Sequence, residues 1–190
     1  MRIVAGKWRG RPLALPPESI TRPTTDRVRE ALFSALESRI DFAGIRVLDA
    51  FAGSGGLGLE ALSRGAGHVV FCEVNGKALP VLKRNVAALD GARAASTVLR
   101  CDSLKRPPAD AGPYDLVLLD PPYAYTSSDV AAFVQALDAA GALAPDAVVH
   151  YEHAKKDASA AQSAFEQIQW ETAVTKRYGD IAFDLFRRNR

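Results

Sequence analysis

VLDAFAGSGGLGLEAL, residues 47–62, is the stretch on which the fold turns. An apolar run ends near Asp49, Gly53, Gly55 and Gly58 follow in close succession, and an apolar helical pattern begins at once. A strand that passes through a glycine-rich turn straight into a helix opens a βαβ unit. Glycine suits such a turn because the backbone needs unusual dihedrals and because a ligand must lie almost against it. Residues 53–58 satisfy G-x-G-x-x-G, and Glu73 stands twenty residues after Gly53 at the end of the next apolar run, HVVFCE. An acid there can accept two ribose hydroxyls, whether they belong to a dinucleotide or to the adenosine of S-adenosylmethionine. Asp49 separates the two cofactors, since a carboxylate this close repels a pyrophosphate and attracts a sulfonium and an ammonium group.

Working outward, apolar strands alternate with helical segments, the pattern of a parallel sheet covered by helices on both faces. IRVLDA (45–50), HVVFCE (68–73), STVLR (96–100), DLVLLD (115–120) and AVVHYE (147–152) are the strand candidates. Helices are expected over 76–89 and near 128–140, and Val28, Ala31, Leu32, Ala35 and Leu36 form an amphipathic stripe after the capping signal Thr24-Thr25-Asp26. Two further strand-like runs, QIQWETAVTKRYG and DIAFDLFRR, meet at Gly179-Asp180, a hairpin signal. The expected architecture is α/β and Rossmann-like: a mixed seven-stranded sheet, five parallel strands closed by an antiparallel hairpin. Residues 1–25 read as a basic arm or small hairpin, and 26–190 as the main domain.

YDLVLLDPPYAY, residues 114–125, ends a strand in an acid, two prolines and an aromatic ring. Ligands of open α/β sheets bind beyond the carboxyl ends of the strands, and this strand is expected beside the first, so DPPY should face the methyl donor. An exocyclic base amine is a poor nucleophile because its lone pair is delocalised into the ring. The Asp120 carboxylate and the Pro121 carbonyl can accept its N–H groups, aim the lone pair and stabilise the charge that develops. Pro121 and Pro122 fix φ near −65° and bring no N–H donor into a cluster that must accept. Tyr123 offers a flat face for an extruded base.

Bulk properties bound the rest. The chain has 190 residues, 48% of them hydrophobic, enough to fill one core. The N-terminus MRIVAGKWRGR lacks an apolar export segment, and a cytoplasmic location is expected. Cys72 and Cys101 and the three histidines show no metal-ligand spacing, so reduced thiols and no metal are expected. The net charge of +2 conceals an asymmetry: residues 1–30 hold seven basic and three acidic side chains, net +4, which leaves −2 for the remainder. A basic leader on a slightly acidic body suits a polyanionic partner.

With these residues in view the sequence resembles the RsmD-type guanine-N2 methyltransferases of small-subunit ribosomal RNA. The resemblance lies in GKWRGRPLALP (6–16), RPTTDRVREALFSAL (22–36), VLDAFAGSGGLGLEALSRGA (47–66), YDLVLLDPPY (114–123) and KRYGD (176–180). It implies a class I fold, S-adenosylmethionine as donor, and one guanine amine in an assembling or assembled subunit as acceptor; nothing in the sequence demands more than a monomer. By the same resemblance Asp49, Phe51, Ala52, Gly53, Ser54, Gly55, Glu73, Val74, Asp102, Ser103 and Asp120 hold the cofactor, and Asp120 to Tyr123 the target amine. Val74-Asn75 after Glu73 depart from the family's acidic pattern there. Lys7, Arg9, Arg11 and Arg22 would contact phosphates, Tyr178 would extend that surface, and Trp8 would either stack on RNA or pin the arm, packing being favoured. Asn85 and the Ser63-Arg64 pair read as structural. The alternatives are an adenine-N6 or cytosine-N4 methyltransferase, a noncatalytic RNA-binding assembly factor, and a dehydrogenase.

Overall fold

The strands expected from the apolar runs form, and their neighbours follow from which faces they bury. The computed structural model describes residues 1–16 and 26–189. They include β1 (Arg46–Asp49), β2 (His68–Cys72), β3 (Ser96–Leu99), β4 (Tyr114–Leu119), β5 (Leu143–Ala154), β6 (Trp170–Tyr178) and β7 (Ile181–Arg188). These make one seven-stranded sheet in the order β3-β2-β1-β4-β5-β7-β6. The β1–β2, β2–β3 and β4–β5 pairs are parallel, whereas β7 pairs antiparallel with both β5 and β6. The mixed sheet with a closing antiparallel hairpin is therefore as expected. Two units cluster along the chain, Met1–Cys101 and Asp102–Arg190.

In the first unit, α1 (Asp26–Glu37) buries Val28, Leu32 and Leu36 of the stripe that the spacing predicts, leaves its Ala31 and Ala35 half-buried, and buries Phe33 in addition. Arg29 lies on the same face and is only 1% exposed, its Nη2 donating to the Arg2 carbonyl and to Asp26. The capping signal Thr24-Thr25 and Arg22 lie outside the described residues. Next come α2 (Gly56–Ser63) and α3 (Ala78–Ala88), the latter shorter at both ends than the 76–89 expected. The arm forms a small hairpin, with an antiparallel bridge between Arg2 and Pro12 and a bond from Ile3 N–H to the Arg11 carbonyl at 3.0 Å. Ile3, Trp8 and Leu13 are buried.

The arm is held by the polar side of α2. Glu60, with no exposure, accepts the Val4 and Ala5 N–H groups at 2.7 and 3.0 Å. Ser63 Oγ accepts the Trp8 N–H at 3.0 Å and donates to the Ala5 carbonyl at 2.6 Å. Gly6 has φ +79°, and a Cβ there would overlap the Ser63 carbonyl, so only glycine permits this approach.

In the second unit, β4 is buried along nearly its whole length, as a strand covered on both faces must be. β5 runs from Leu143, four residues earlier than the 147–152 segment predicts, with an irregular register between Tyr114 and Leu116 of β4. The helix near 128–140 is α4 (Ser127–Ala139). A further helix, α5 (Ala158–Gln167), has no counterpart among the expected elements. Its buried residues are Ala158, Ala161, Ala164 and Phe165, and small side chains give a faint apolar period. Tertiary packing reveals it: the Phe165 ring stacks on Phe186 of β7 with centroids 3.8 Å apart.

Candidate active site

The glycine turn is built around two carboxylates of the first unit. Asp49, 2% exposed at the end of β1, accepts the Gly58 N–H at 2.9 Å in the first turn of α2. A helix start presents unpaired N–H groups and partial positive charge. A dinucleotide would place its pyrophosphate there; in this chain a buried carboxylate already occupies that role. Glu73, at the end of β2, accepts the Gly53 N–H through Oε2 at 2.7 Å and the Asn75 N–H through Oε1 at 2.6 Å. Those bonds fix the carboxylate while leaving lone pairs on both oxygens.

Glycine is needed at these positions for different reasons. Gly53 and Gly55 have φ of +54° and +86°. A Cβ at Gly58 would overlap the Phe71 ring of β2, so the third glycine lets helix and strand close together. Around Gly53, by contrast, nothing lies within 4 Å of where a Cβ would be. The open cradle is thus at the first glycine, beside Glu73. Ala52 is tied to β2 by its N–H to the Cys72 carbonyl at 2.9 Å, and Gly55 N–H closes the turn on the Ala52 carbonyl at 2.6 Å. Phe51 is half-buried, Ser54 buried, and Val74 56% exposed next to Glu73.

In the second unit, β4 delivers Asp120 half-buried, Pro121 half-buried and Pro122 exposed, and Tyr123 is 66% exposed. The loop is short. Tyr125 N–H bonds the Pro122 carbonyl at 3.1 Å, and Thr126 caps α4 with a reciprocal pair to Asp129. Hydrogen bonds from Thr126 hold the Asp129 carboxyl below its ordinary value. A strand end, two ring-locked residues and a capped helix therefore fix the DPPY backbone from both sides. Asp102 is half-buried and pairs with Lys105 Nζ at 3.4 Å, and Ser103 beside it is buried.

The arm cations Lys7, Arg9 and Arg11 are exposed. Trp8 is 6% exposed, which favours the packing role, and Lys7 Nζ lies 4.2 Å from its ring centroid. Tyr178, at the end of β6, is half-buried with its ring 6.2 Å from Phe183. Sequence reasoning gave Asn85, Ser63 and Arg64 only a structural reading. Asn85 binds both the arm and the glycine turn, and Arg64 pairs with Glu60 and Glu37. The signal available for Glu60 was a charged residue inside an otherwise apolar helix, which calls for buried partners.

The fold and the glycine turn together define a Rossmann-like, class I methyltransferase. A Synechocystis magnesium protoporphyrin IX methyltransferase with bound SAM shares the fold, with a TM-score of 0.70 at 16% identity over 90% of this chain and 88% of that one. The family model "Conserved hypothetical protein 95" matches residues 1–187, and the chain belongs to this family, the RsmD-type methyltransferases. The chain is 34% identical to "Ribosomal RNA small subunit methyltransferase D" of Escherichia coli K12, over 99% of this chain and 90% of that protein. Its identity to the Haemophilus influenzae protein of the same name is 38%, over 98% and 93%.

Proposed function

We propose that the chain transfers a methyl group from S-adenosylmethionine to the exocyclic N2 amine of a guanine in small-subunit ribosomal RNA. The observation that carries this reading is the end of β4, where a half-buried carboxylate and two prolines lead to a ring that is 66% exposed. The full-length match to small-subunit methyltransferases supports the substrate class.

S-adenosylmethionine is the cofactor, and it supplies an electrophilic methyl group on a sulfonium. The residues present suit it. Asp49 and Glu73 put negative charge around the turn, Gly53 leaves room at the backbone, and Glu73 has lone pairs for ribose hydroxyls. Phe51, Ala52, Ser54, Gly55 and Val74 complete that wall, and Asp102 with Ser103 would receive the adenine. Asp120 and the Pro121 carbonyl accept the amine's N–H groups and orient its lone pair. The Tyr123 ring stacks on the base, worth roughly 1 to 3 kcal/mol. No proton need leave before transfer, because the product amine is cationic and acidic and can lose one afterwards.

Lys7, Arg9, Arg11 and Arg22 contact RNA phosphates, with Tyr178 extending the surface, and Trp8 holds the arm in shape. The arm (1–25) and the catalytic body (26–190) act as one monomer on an assembling or assembled subunit in the cytoplasm. Nucleoside mass spectrometry of small-subunit RNA from cells with and without the protein tests the product: N2-methylguanosine is expected to fall in its absence, and an unchanged level refutes the assignment. Asp120→Ala should lose methylation by a hundredfold or more, on the order expected for removing a transition-state acceptor, while RNA affinity stays within about twofold of wild type. Parallel loss of both would contradict the role given to Asp120.

A further inference from the structure

Asn85 of α3 joins two parts of the first unit that lie far apart in sequence. It is 3% exposed. Its Oδ1 accepts the Ala14 N–H at 2.9 Å, and its Nδ2 donates to the Ala14 carbonyl and to the Ser54 carbonyl, each at 2.9 Å. One planar amide thus holds Ala14 of the arm on one side and the glycine turn on the other. A second contact runs the same way. The Met1 sulfur sits 3.0 Å from where a Cβ on Gly56 would be, and the Met1 carbonyl accepts the Leu13 N–H at 3.0 Å. The arm therefore leans on the turn from both sides of its hairpin.

We infer that Asn85 is a positioning residue that couples cofactor binding to RNA binding. The inference rests on the functional reading above, in which the turn takes the methyl donor and the arm takes phosphates. Both donated bonds leave a single sp² nitrogen, so their directions are fixed relative to one another. If Ala14 moves, the amide must tilt to follow, and its other N–H swings off the Ser54 carbonyl. At 3% exposure water cannot readily replace the lost partner, so either strand of the contact resists movement of the other. RNA that orders the arm then orders the turn, and a donor that orders the turn presents an ordered arm. Linkage requires the two effects to be equal.

Calorimetry with S-adenosylhomocysteine, the demethylated product, avoids turnover and gives donor-site affinity with and without a saturating small-subunit RNA fragment. RNA affinity is measured in the same way with and without S-adenosylhomocysteine. In the wild type each ligand is expected to tighten the other by the same factor, about fivefold or more. Asn85→Ala should bring that factor to near one. Ala14→Pro removes the N–H that Asn85 Oδ1 accepts, one of the arm's two bonds to the amide, leaves both bonds donated by Nδ2, and should lower the factor without abolishing it while retaining donor affinity in the absence of RNA. This second variant keeps the test valid if Asn85→Ala folds poorly. A wild-type factor of one, with both ligands bound and methylation proceeding, overturns the coupling and leaves the functional reading standing. Undiminished coupling in both variants overturns the role of Asn85. A wild type that binds neither ligand overturns the functional reading and this inference with it.

Discussion

At the scale of single residues, Glu60 shows how a charge inside an apolar helix becomes structural. It has no exposure, and its carboxylate gathers Val4 N–H, Ala5 N–H and Arg64 Nε at 2.7, 3.0 and 2.9 Å. Glu60→Ala would leave two backbone donors unpaired below the arm and take from the Arg64 guanidinium one of its two acidic partners. Breaking a buried pair in this way costs roughly 3 to 5 kcal/mol. Glu60→Gln keeps an acceptor and should cost less. Urea unfolding of both variants checks the order; equal and small losses would show that water replaces the carboxylate. Gly58 illustrates the opposite constraint, a side chain that must be absent because the Phe71 ring fills the space. The glycine was legible in the sequence as a motif position. The Glu60 contacts with the arm were not, because Val4 and Ala5 lie more than fifty residues away.

At the scale of elements, the β5–β7 ladder buries two histidines with opposite tendencies. His150 pairs with Leu185 and has no exposure, and among the described residues neither ring nitrogen has a hydrogen-bond partner. Burial, and secondly the charge of His153, push its pKa down to about 3. His153 is also pulled down by burial, but its bonds to Asp184 and the Ala154 carbonyl outweigh that, and its pKa lies above the ordinary value. The signs follow from proton binding. Between its ordinary value of 6.5 and about 3, His150 is protonated in the unfolded chain and neutral in the folded one, so acid favours unfolding. The His153 contribution is full below 6.5 and fades as pH rises through its raised folded value. His150→Leu is therefore expected to reduce the stability lost between neutral pH and about pH 5. Denaturant unfolding at the two pH values measures it, and an undiminished loss in the variant would show that other groups set the acid slope.

At the scale of the whole molecule, a ligand that binds only the folded chain stabilises it by mass action. At a hundredfold excess over its dissociation constant S-adenosylmethionine should add about 2.7 kcal/mol, or roughly 5 to 10 °C in melting temperature for a chain of this size. NAD at equal concentration should add nothing, since Asp49 already answers the start of α2. Thermal melts with each ligand decide between them, and protection by NAD alone would restore the dinucleotide reading.

What the sequence determined by itself were the features set by local chemistry. The strand–glycine–helix opening, the apolar runs, the DPPY strand end and the hairpin at Gly179-Asp180 all depend on dihedral freedom, periodicity or ring constraint within a few residues, and each is visible where it stands. Tertiary structure alone decided the contacts between distant residues. It seats a basic arm as a hairpin against α2 through Glu60 and Ser63, and it buries Arg29 in a helix face that reads as ordinary. It makes a helix of the alanine-rich segment 158–167 and gives Asn85 three hydrogen bonds to two residues, Ala14 and Ser54. The physical reason is the same throughout: a buried polar group or a small side chain has no fixed value along the chain, and acquires one only from what the fold brings to it.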